Sequence, residues 1–224
     1  MTVLHLNDVG FDGRTKPGLL RKYRVKIVSI QRVTTSFSFG KIYLLNSQPF
    51  GVAQTLSLIV GGLIKEDHGT ITKDGDLFPI GDRLNQACCV RANLGKRFLF
   101  WEQTVRSQIR EALRENLNPV LQSENEVVTK FHLSSGRLDR SLRHYSAEAW
   151  RASTAIGVAQ GKTMFCFTYT PPEVLEEKYV KWIKEMLYFL RDLGALVLVP
   201  TMVRSSVQDI GDEVLELGYT EIEE

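Results

Sequence analysis

The sequence predicts an α/β fold: a core built on a parallel sheet, an antiparallel β lobe ahead of it and a helical insertion within it. Features in different parts of the chain carry this expectation. YRVKIVSIQRV, in the first third, alternates apolar and polar residues as a half-buried antiparallel strand does. In RFLFWEQTVRSQIREALRENL, Trp101, Val105, Ile109, Leu113 and Leu117 recur four residues apart, which places them on one helix face. TMFCFTY, a long helical stretch and ALVLVP then follow one another as strand, helix and strand. In that spacing they make a right-handed parallel βαβ unit.

Taken in order, LLNSQPFGVAQTLSLIVGG (44–62) opens as a buried strand, passes a short loop and continues as a helix ending in two glycines. GTITKDGDLFPI sets Asp74-Gly75 between two short strand-like runs, a hairpin turn. Asn118-Pro119 stops the middle helix, and the polar residues 118–140 read as a helical segment plus loop. SAEAWRASTAIGVA is rich in helix formers, and TMFCFTY is apolar throughout, as suits a strand covered on both faces. In TPPEVLEEKYVKWIKEMLYFLRDLG, Thr170 is the expected N-cap and Pro171 the first helical residue, with Glu173, Glu176 and Glu177 favouring the positive helix start. Val174, Trp182, Ile183, Met186, Leu187 and Leu190 form its buried stripe, and Gly194 ends it. The final EIEE reads as a frayed end.

Composition narrows the function classes. The 224 residues carry a net charge of only +2, too near neutral for nucleic acid or an anionic membrane to be the main partner. The basic run RLDRSLRH (137–144) contains an Asp and apolar residues and reads as a solvated helix face. Three cysteines, with Cys88 and Cys89 adjacent, make no disulfide framework, and a reducing cytoplasm fits them. MTVLHLNDVGFDGR lacks the basic and apolar regions of a signal peptide. The most apolar stretch, 195–203, is far shorter than a membrane helix, so any membrane role is expected to come through a partner.

These segments, in this order, resemble the ATP-binding subunits of ABC transporters, most closely the type that exports capsular and O-antigen polysaccharides. TLSLIVGGLIKEDHGTITKDG is similar to that family's stretch after the phosphate loop, and LFPIGDRLNQ to the segment carrying its Q-loop glutamine. HYSAEAWRASTAIGVA resembles the signature segment, and VPTMVRSSVQDIGDEVLELGYTEI the last strands and switch loop. The resemblance covers nearly the whole chain and rests on framework more than on identities. It implies a P-loop NTPase-like (ABC ATPase) core in a single domain, 1–224. About 1–95 and 146–224 would form the β lobe and α/β core, and about 96–145 a helical subdomain.

At the chemical positions the resemblance implies decay. The family's phosphate loop reads G-x-x-G-x-G-K-[ST]-[ST]; its backbone N–H groups and lysine hold phosphates, and its hydroxyl holds Mg²⁺. Laid on this chain, the glycines fall at Ser47, Phe50 and Val52, the lysine at Ala53 and the magnesium hydroxyl at Gln54. Thr55 alone is kept. A β-branched residue in place of a glycine that needs positive φ implies a loop of another shape. The Walker B carboxylates fall among Thr168, Tyr169 and Thr170, and the switch histidine at Met202. Ser146 keeps the signature serine, but Ala147 and Glu148 follow it, and a carboxylate there would face the partner's γ-phosphate. Gln86 stands at the Q-loop position and Phe11 where an aromatic stacks on adenine; each serves equally well as an ordinary loop or strand residue. The implied degenerate nucleotide site is Phe11, Gly51, Ala53, Gln54, Thr55, Gln86 and Ser146, with no catalytic residue and no metal ligand.

Other motifs have plainer readings. GVAQGKT (157–163) contains Gly-Lys-Thr but is one residue short of a phosphate loop and leads into a strand, so it is a surface turn. His5, His68, His132 and His144 lack metal-ligand spacing. Cys88 and Cys89 read as packing residues. Trp101, Trp150 and Trp182 are expected on helices as core or interface anchors.

The expected function is that of a pseudo-ATPase with weak or absent ATP binding and no cofactor. It would act through protein interaction, as a homodimer or paired with a competent ABC ATPase, with a membrane permease as a further partner. Its location would be cytoplasmic, peripheral at the inner face of the membrane through that partner. The alternative is a divergent working ATPase in which Glu173, Glu176 and Lys162 substitute for the lost groups.

Overall fold

A computed structural model of the chain describes residues 1–12, 27–48, 51–92, 97–98, 101–144, 148–176 and 180–218. Its strands are β1 (Val3–Phe11), β2 (Ile30–Ser38), β3 (Lys41–Ser47), β4 (His68–Lys73), β5 (Asp76–Leu77), β6 (Ala87–Val90), β7 (Arg97–Phe98), β8 (Trp101–Glu102), β9 (Met164–Phe167), β10 (Leu196–Pro200) and β11 (Glu213–Leu217). The described helices are α1 (Gly51–Val60), α2 (Ile80–Gln86), α3 (Val105–Glu115), α4 (Glu124–Lys130), α5 (Ser135–Leu138), α6 (Ala149–Ala159), α7 (Pro172–Glu176), α8 (Val180–Asp192) and α9 (Ser205–Gln208).

The first sheet is antiparallel, in the order β2-β1-β4-β5. β1 buries Leu4 and Leu6 and exposes His5 and Asn7, the period-two alternation of a sheet with one covered face. Asp8 interrupts it at φ 57, where the register with β2 shifts, and its N–H donates to Thr34 Oγ1 at 3.0 Å. The hairpin between β4 and β5 turns at Asp74 and Gly75, both at positive φ as a two-residue hairpin turn requires.

The second sheet is parallel, in the order β11-β3-β10-β9-β6. Alternate residues of its central strands enter two separate cores. Ile42, Leu44, Phe165, Phe167, Val197 and Val199 pack with α3, α6 and α8 on one face. Tyr43, Leu45, Met164, Cys166, Leu196 and Leu198 pack with α1 and the antiparallel lobe on the other. Two covered faces explain why β9 and β10 are apolar at every position.

Several boundaries differ from expectation. α3 begins at Val105, capped by Thr104, whose hydroxyl accepts the Ser107 N–H at 3.1 Å. Trp101 therefore lies on β8, not on a helix. α3 also ends earlier, at Glu115, because Asn116 turns its side chain to Ala159 O at 3.0 Å and to the Asn118 N–H at 3.1 Å. Leu117, expected on the buried stripe, is 93 % exposed beyond that end. Pro172, not Pro171, opens α7, and the Thr170 hydroxyl donates to Thr168 O. Trp182 lies at the rim of α8, 5.9 Å from His132 and 4.7 Å from the Arg151 guanidinium, while Ile183, Met186, Leu187 and Leu190 are buried as predicted.

Close packing beneath the parallel sheet depends on Gly61, just past α1. A Cβ there would stand 2.5 Å from Cys89 Sγ and 3.2 Å from Cys166 Cβ. Gly61→Ala should cost about 1–3 kcal/mol by overpacking. Chemical denaturation would measure this, and Cys89→Ala in the same chain should recover part of the loss.

Candidate functional site

In an open parallel sheet, ligands bind outside the carboxyl ends of the strands. Here the ends of β3, β9 and β10 meet beside the first turn of α1. The helix begins at Gly51, so Val52 is helical and carries no positive φ; the strain expected of a β-branched residue is avoided because helix replaces loop. Pro49 and Phe50 lie outside the described residues.

All ten residues of α1 are buried, among them Val52, Ala53, Gln54 and Thr55. Val28 lies against Gly51 so closely that a Cβ on the glycine would sit 2.9 Å from its Cγ1. The Ala53 N–H, one of the first-turn donors that could serve an anion, donates to Ser47 Oγ at 3.0 Å. Gln54, which the resemblance aligns with the magnesium hydroxyl, accepts the Tyr169 N–H on its Oε1 at 2.8 Å. The Thr55 hydroxyl donates to Gly51 O at 2.8 Å and accepts the Val28 N–H at 3.2 Å. Ser57 donates to Phe167 O at 2.9 Å.

The end of β9 offers Thr168, Tyr169 and Thr170, none of them a carboxylate. The Thr170 N–H donates to Pro200 O at 2.8 Å, joining β9 to β10. Burial, and then the nearby Glu173 carboxylate, push the Tyr169 phenol above its ordinary range, against the pull of Arg204. Glu173 is itself paired with Arg204 at 2.8 Å. Met202 is half-buried in the segment leaving β10.

The structure gathers only part of the expected site. Gly51, Ala53, Gln54 and Thr55 share the first turns of α1. Phe11 is 1 % exposed at the end of β1, packed in the core of the lobe with no face open to a base. Gln86 precedes β6, at the amino edge of the parallel sheet, where its Oε1 accepts Lys73 Nζ at 2.6 Å. It is not brought to the crevice. Ser146 and Ala147 lie outside the described residues. Glu148 is half-buried, accepting the Ser134 N–H at 2.9 Å and lying near the charges of Arg137 and Arg151. Lys162 precedes β9 and donates to Leu84 O and Asn85 O at 3.3 and 2.5 Å, again at the amino edge, so it is no substitute for a phosphate-binding lysine. Glu176 closes α7.

Sequence reasoning missed the roles of Ser47 and Gln54, which it treated only as losses from a motif. It also missed Arg83, wholly buried, whose guanidinium donates to Ile59 O at 2.7 Å and to Glu66 at 2.5 Å, fastening α2 to the end of α1. A lone Arg between Asp82 and Leu84 carries no sequence signal of that role.

Each histidine has a local partner: His5 with Ser36, His68 with Asp12, His132 with Glu185 and His144 with Arg140. Among the described residues no group of three or more His, Cys, Asp or Glu side chains is placed to hold a metal ion, and no helix is long and apolar enough to cross a membrane.

Solved structures share this architecture. CbiO1 from Clostridium perfringens, part of the ABC transporter complex CbiONQ, superposes with a TM-score of 0.67 at 12 % identity, covering 96 % of this chain and 84 % of its own. An ATP-binding subunit of an ABC transporter gives 0.65 at 16 % identity, with 96 % and 85 % covered. The ATP-binding cassette MJ0796, solved as a dimer bound to ADP and phosphate, gives 0.65 at 14 % identity, with 96 % and 94 % covered. No family model and no curated protein matches the chain. The fold is that of ABC transporter ATP-binding subunits, with a mixed α/β core, a parallel sheet and an antiparallel lobe.

Cys88, Cys89 and Cys166 are buried free thiols. Burial pushes Cys88 and Cys89 up from 9.0 to about 12. A raised folded value stabilises the fold below the unfolded pKa, and that contribution falls away as pH climbs from 9.0 towards about 12. Native protein should therefore resist a thiol-specific disulfide reagent at mildly alkaline pH and react fully once denatured, with unfolding free energy declining above pH 9.0.

Proposed function

We propose that this chain is a catalytically inactive protein of the ABC nucleotide-binding-domain fold that acts by binding other proteins. The observation that carries this reading is the start of α1. The positions of the phosphate-binding lysine and the magnesium hydroxyl hold Ala53 and Gln54; both are buried, with the Ala53 N–H donating to Ser47 and the Gln54 carbonyl accepting from Tyr169. Phosphoryl transfer depends on lysine, metal and a water-orienting group acting together. Loss of one general base alone costs ~10²–10⁴ in rate.

The chain pairs with a second ABC-type subunit, either another copy or a competent ATPase, and the helical region about 96–145 meets a membrane permease. It works in the cytoplasm, held at the inner face of the membrane through that permease, without a cofactor of its own. A setting in polysaccharide export is supported by the resemblance of the stretch beginning His144 to the signature of that transporter type.

Phosphate release from Mg-ATP tests the central point. Purified chain should show no chelator-sensitive turnover, and millimolar Mg-ATP or Mg-ADP should leave its melting temperature unchanged, since a ligand of the native state raises it by mass action. Turnover that disappears on Glu173→Gln would establish the divergent-ATPase alternative instead. Co-purification with a permease and a second ATPase from the native host would test the partners.

A further inference from the structure

Along the carboxyl edge of the parallel sheet, the chain's own side chains engage backbone groups at the crevice. Ser47 Oγ takes the Ala53 N–H at 3.0 Å, Gln54 Oε1 takes the Tyr169 N–H at 2.8 Å, and Asn46 Oδ1 takes the Val203 N–H at 3.2 Å. Asn46 is held from its other side, its amide nitrogen donating to both carboxylate oxygens of Glu216 at 3.0 and 2.8 Å. In sheet order these bonds run from β11 through β3 and the segment leaving β10 to the end of β9. Ser47 and Gln54 are 4 % and 6 % exposed, so water competes little for either.

We propose that this row is an internal brace that takes the structural place of a bound ligand. It ties the start of α1 to the ends of β3 and β9, and β3 to the segment leaving β10, and this edge then keeps one conformation with or without nucleotide. An anion entering at α1 would have to displace Ser47 from the Ala53 N–H. A cation at position 54 would have to take the Gln54 oxygen from Tyr169. The first exchanges one acceptor for another at the Ala53 N–H, and the second leaves the half-buried Tyr169 N–H without its acceptor, which is costly unless the ligand replaces the bond it breaks. The inference deepens the reading of an inactive subunit and depends on it for identifying this edge as the nucleotide crevice.

Amide hydrogen exchange on the full chain tests it. Gln54→Leu should speed exchange at the Tyr169 amide on the order of tenfold or more. Gln54→Glu keeps an acceptor oxygen and should stay near wild type. Asn46→Leu should have its effect at Val203. The Leu6 amide in β1 separates local from global opening, and a variant that speeds Leu6 and Tyr169 equally counts against a local brace. In wild type, millimolar Mg-ATP should leave exchange at residues 44–47, 51–55 and 167–170 unchanged. Equal Tyr169 exchange in wild type and Gln54→Leu would overturn the brace, as would ATP-dependent slowing along this edge. Phosphate release with the exchange pattern intact would defeat the inactive reading and leave the brace standing. ATP-dependent slowing without phosphate release would do the reverse.

Discussion

A helix buried over its whole length must find a partner for every polar group it carries, and α1 is such a helix. Its ten residues include Gln54, Thr55 and Ser57, all inside. An unbonded polar group at that depth costs roughly 1–3 kcal/mol, so their hydrogen bonds are conditions of the fold. Thr55 returns its proton to the helix at Gly51 O. Gln54 and Ser57, one turn apart on the same side, both reach the end of β9, at the Tyr169 N–H and Phe167 O. The helix is thus pinned to that strand at two points, and the crevice between them is defined by the pinning.

The same economy of space governs the sheet beneath. Strands covered on both faces leave room only for small residues where a helix end crosses, which accounts for Gly61 against Cys89 and Cys166 on one face. On the other face, a Cβ at Gly157 would stand 2.7 Å from Cys88 Cβ. Adjacent residues of a strand point to opposite faces. Cys88 and Cys89 therefore serve different cores, which is why neighbours in sequence are not neighbours in chemistry. Their thiols behave as small apolar groups, and the burial that makes them fit also keeps them protonated.

How much of this was legible beforehand follows from what each signal measures. Continuous apolar runs and turn residues report burial and chain reversal, so β9, β10 and the hairpin at Asp74-Gly75 could be read directly, whereas the alternation in YRVKIVSIQRV coincides with β2 only from Ile30 onward. Helix limits report capping, which turns on single side chains: Thr104 and Asn116 trimmed α3 at both ends and left Trp101 and Leu117 outside it. Site residues were the least legible. Phe11 and Gln86 were matched by position along a motif, yet a motif fixes chemistry only if the local backbone holds its usual shape. Phe11 belongs to the lobe's core, and Gln86 sits one strand length from the edge where it would act. Gln54 and Ser47 were visible only as departures, because their partners, Tyr169 and Ala53, are set by the fold and not by spacing.

The architecture shared with ABC transporter ATP-binding subunits and the inactive crevice proposed above are compatible for a physical reason. A phosphate loop is a concession by the chain: glycines at costly entropy and backbone donors left open, tolerable because a ligand fills them. With Val52 and Ala53 in that stretch, the backbone is helical from Gly51, and the Ala53 N–H closes on Ser47. None of this touches the two cores, since the apolar residues of α1 (Val52, Leu56, Leu58, Ile59 and Val60) stay in contact with the sheet and lobe. The fold's stability comes from burial on both faces of the parallel sheet, and the crevice is a local arrangement at one edge of it. Such an edge can carry side-chain bonds in place of ligand bonds while the layers beneath it keep their packing.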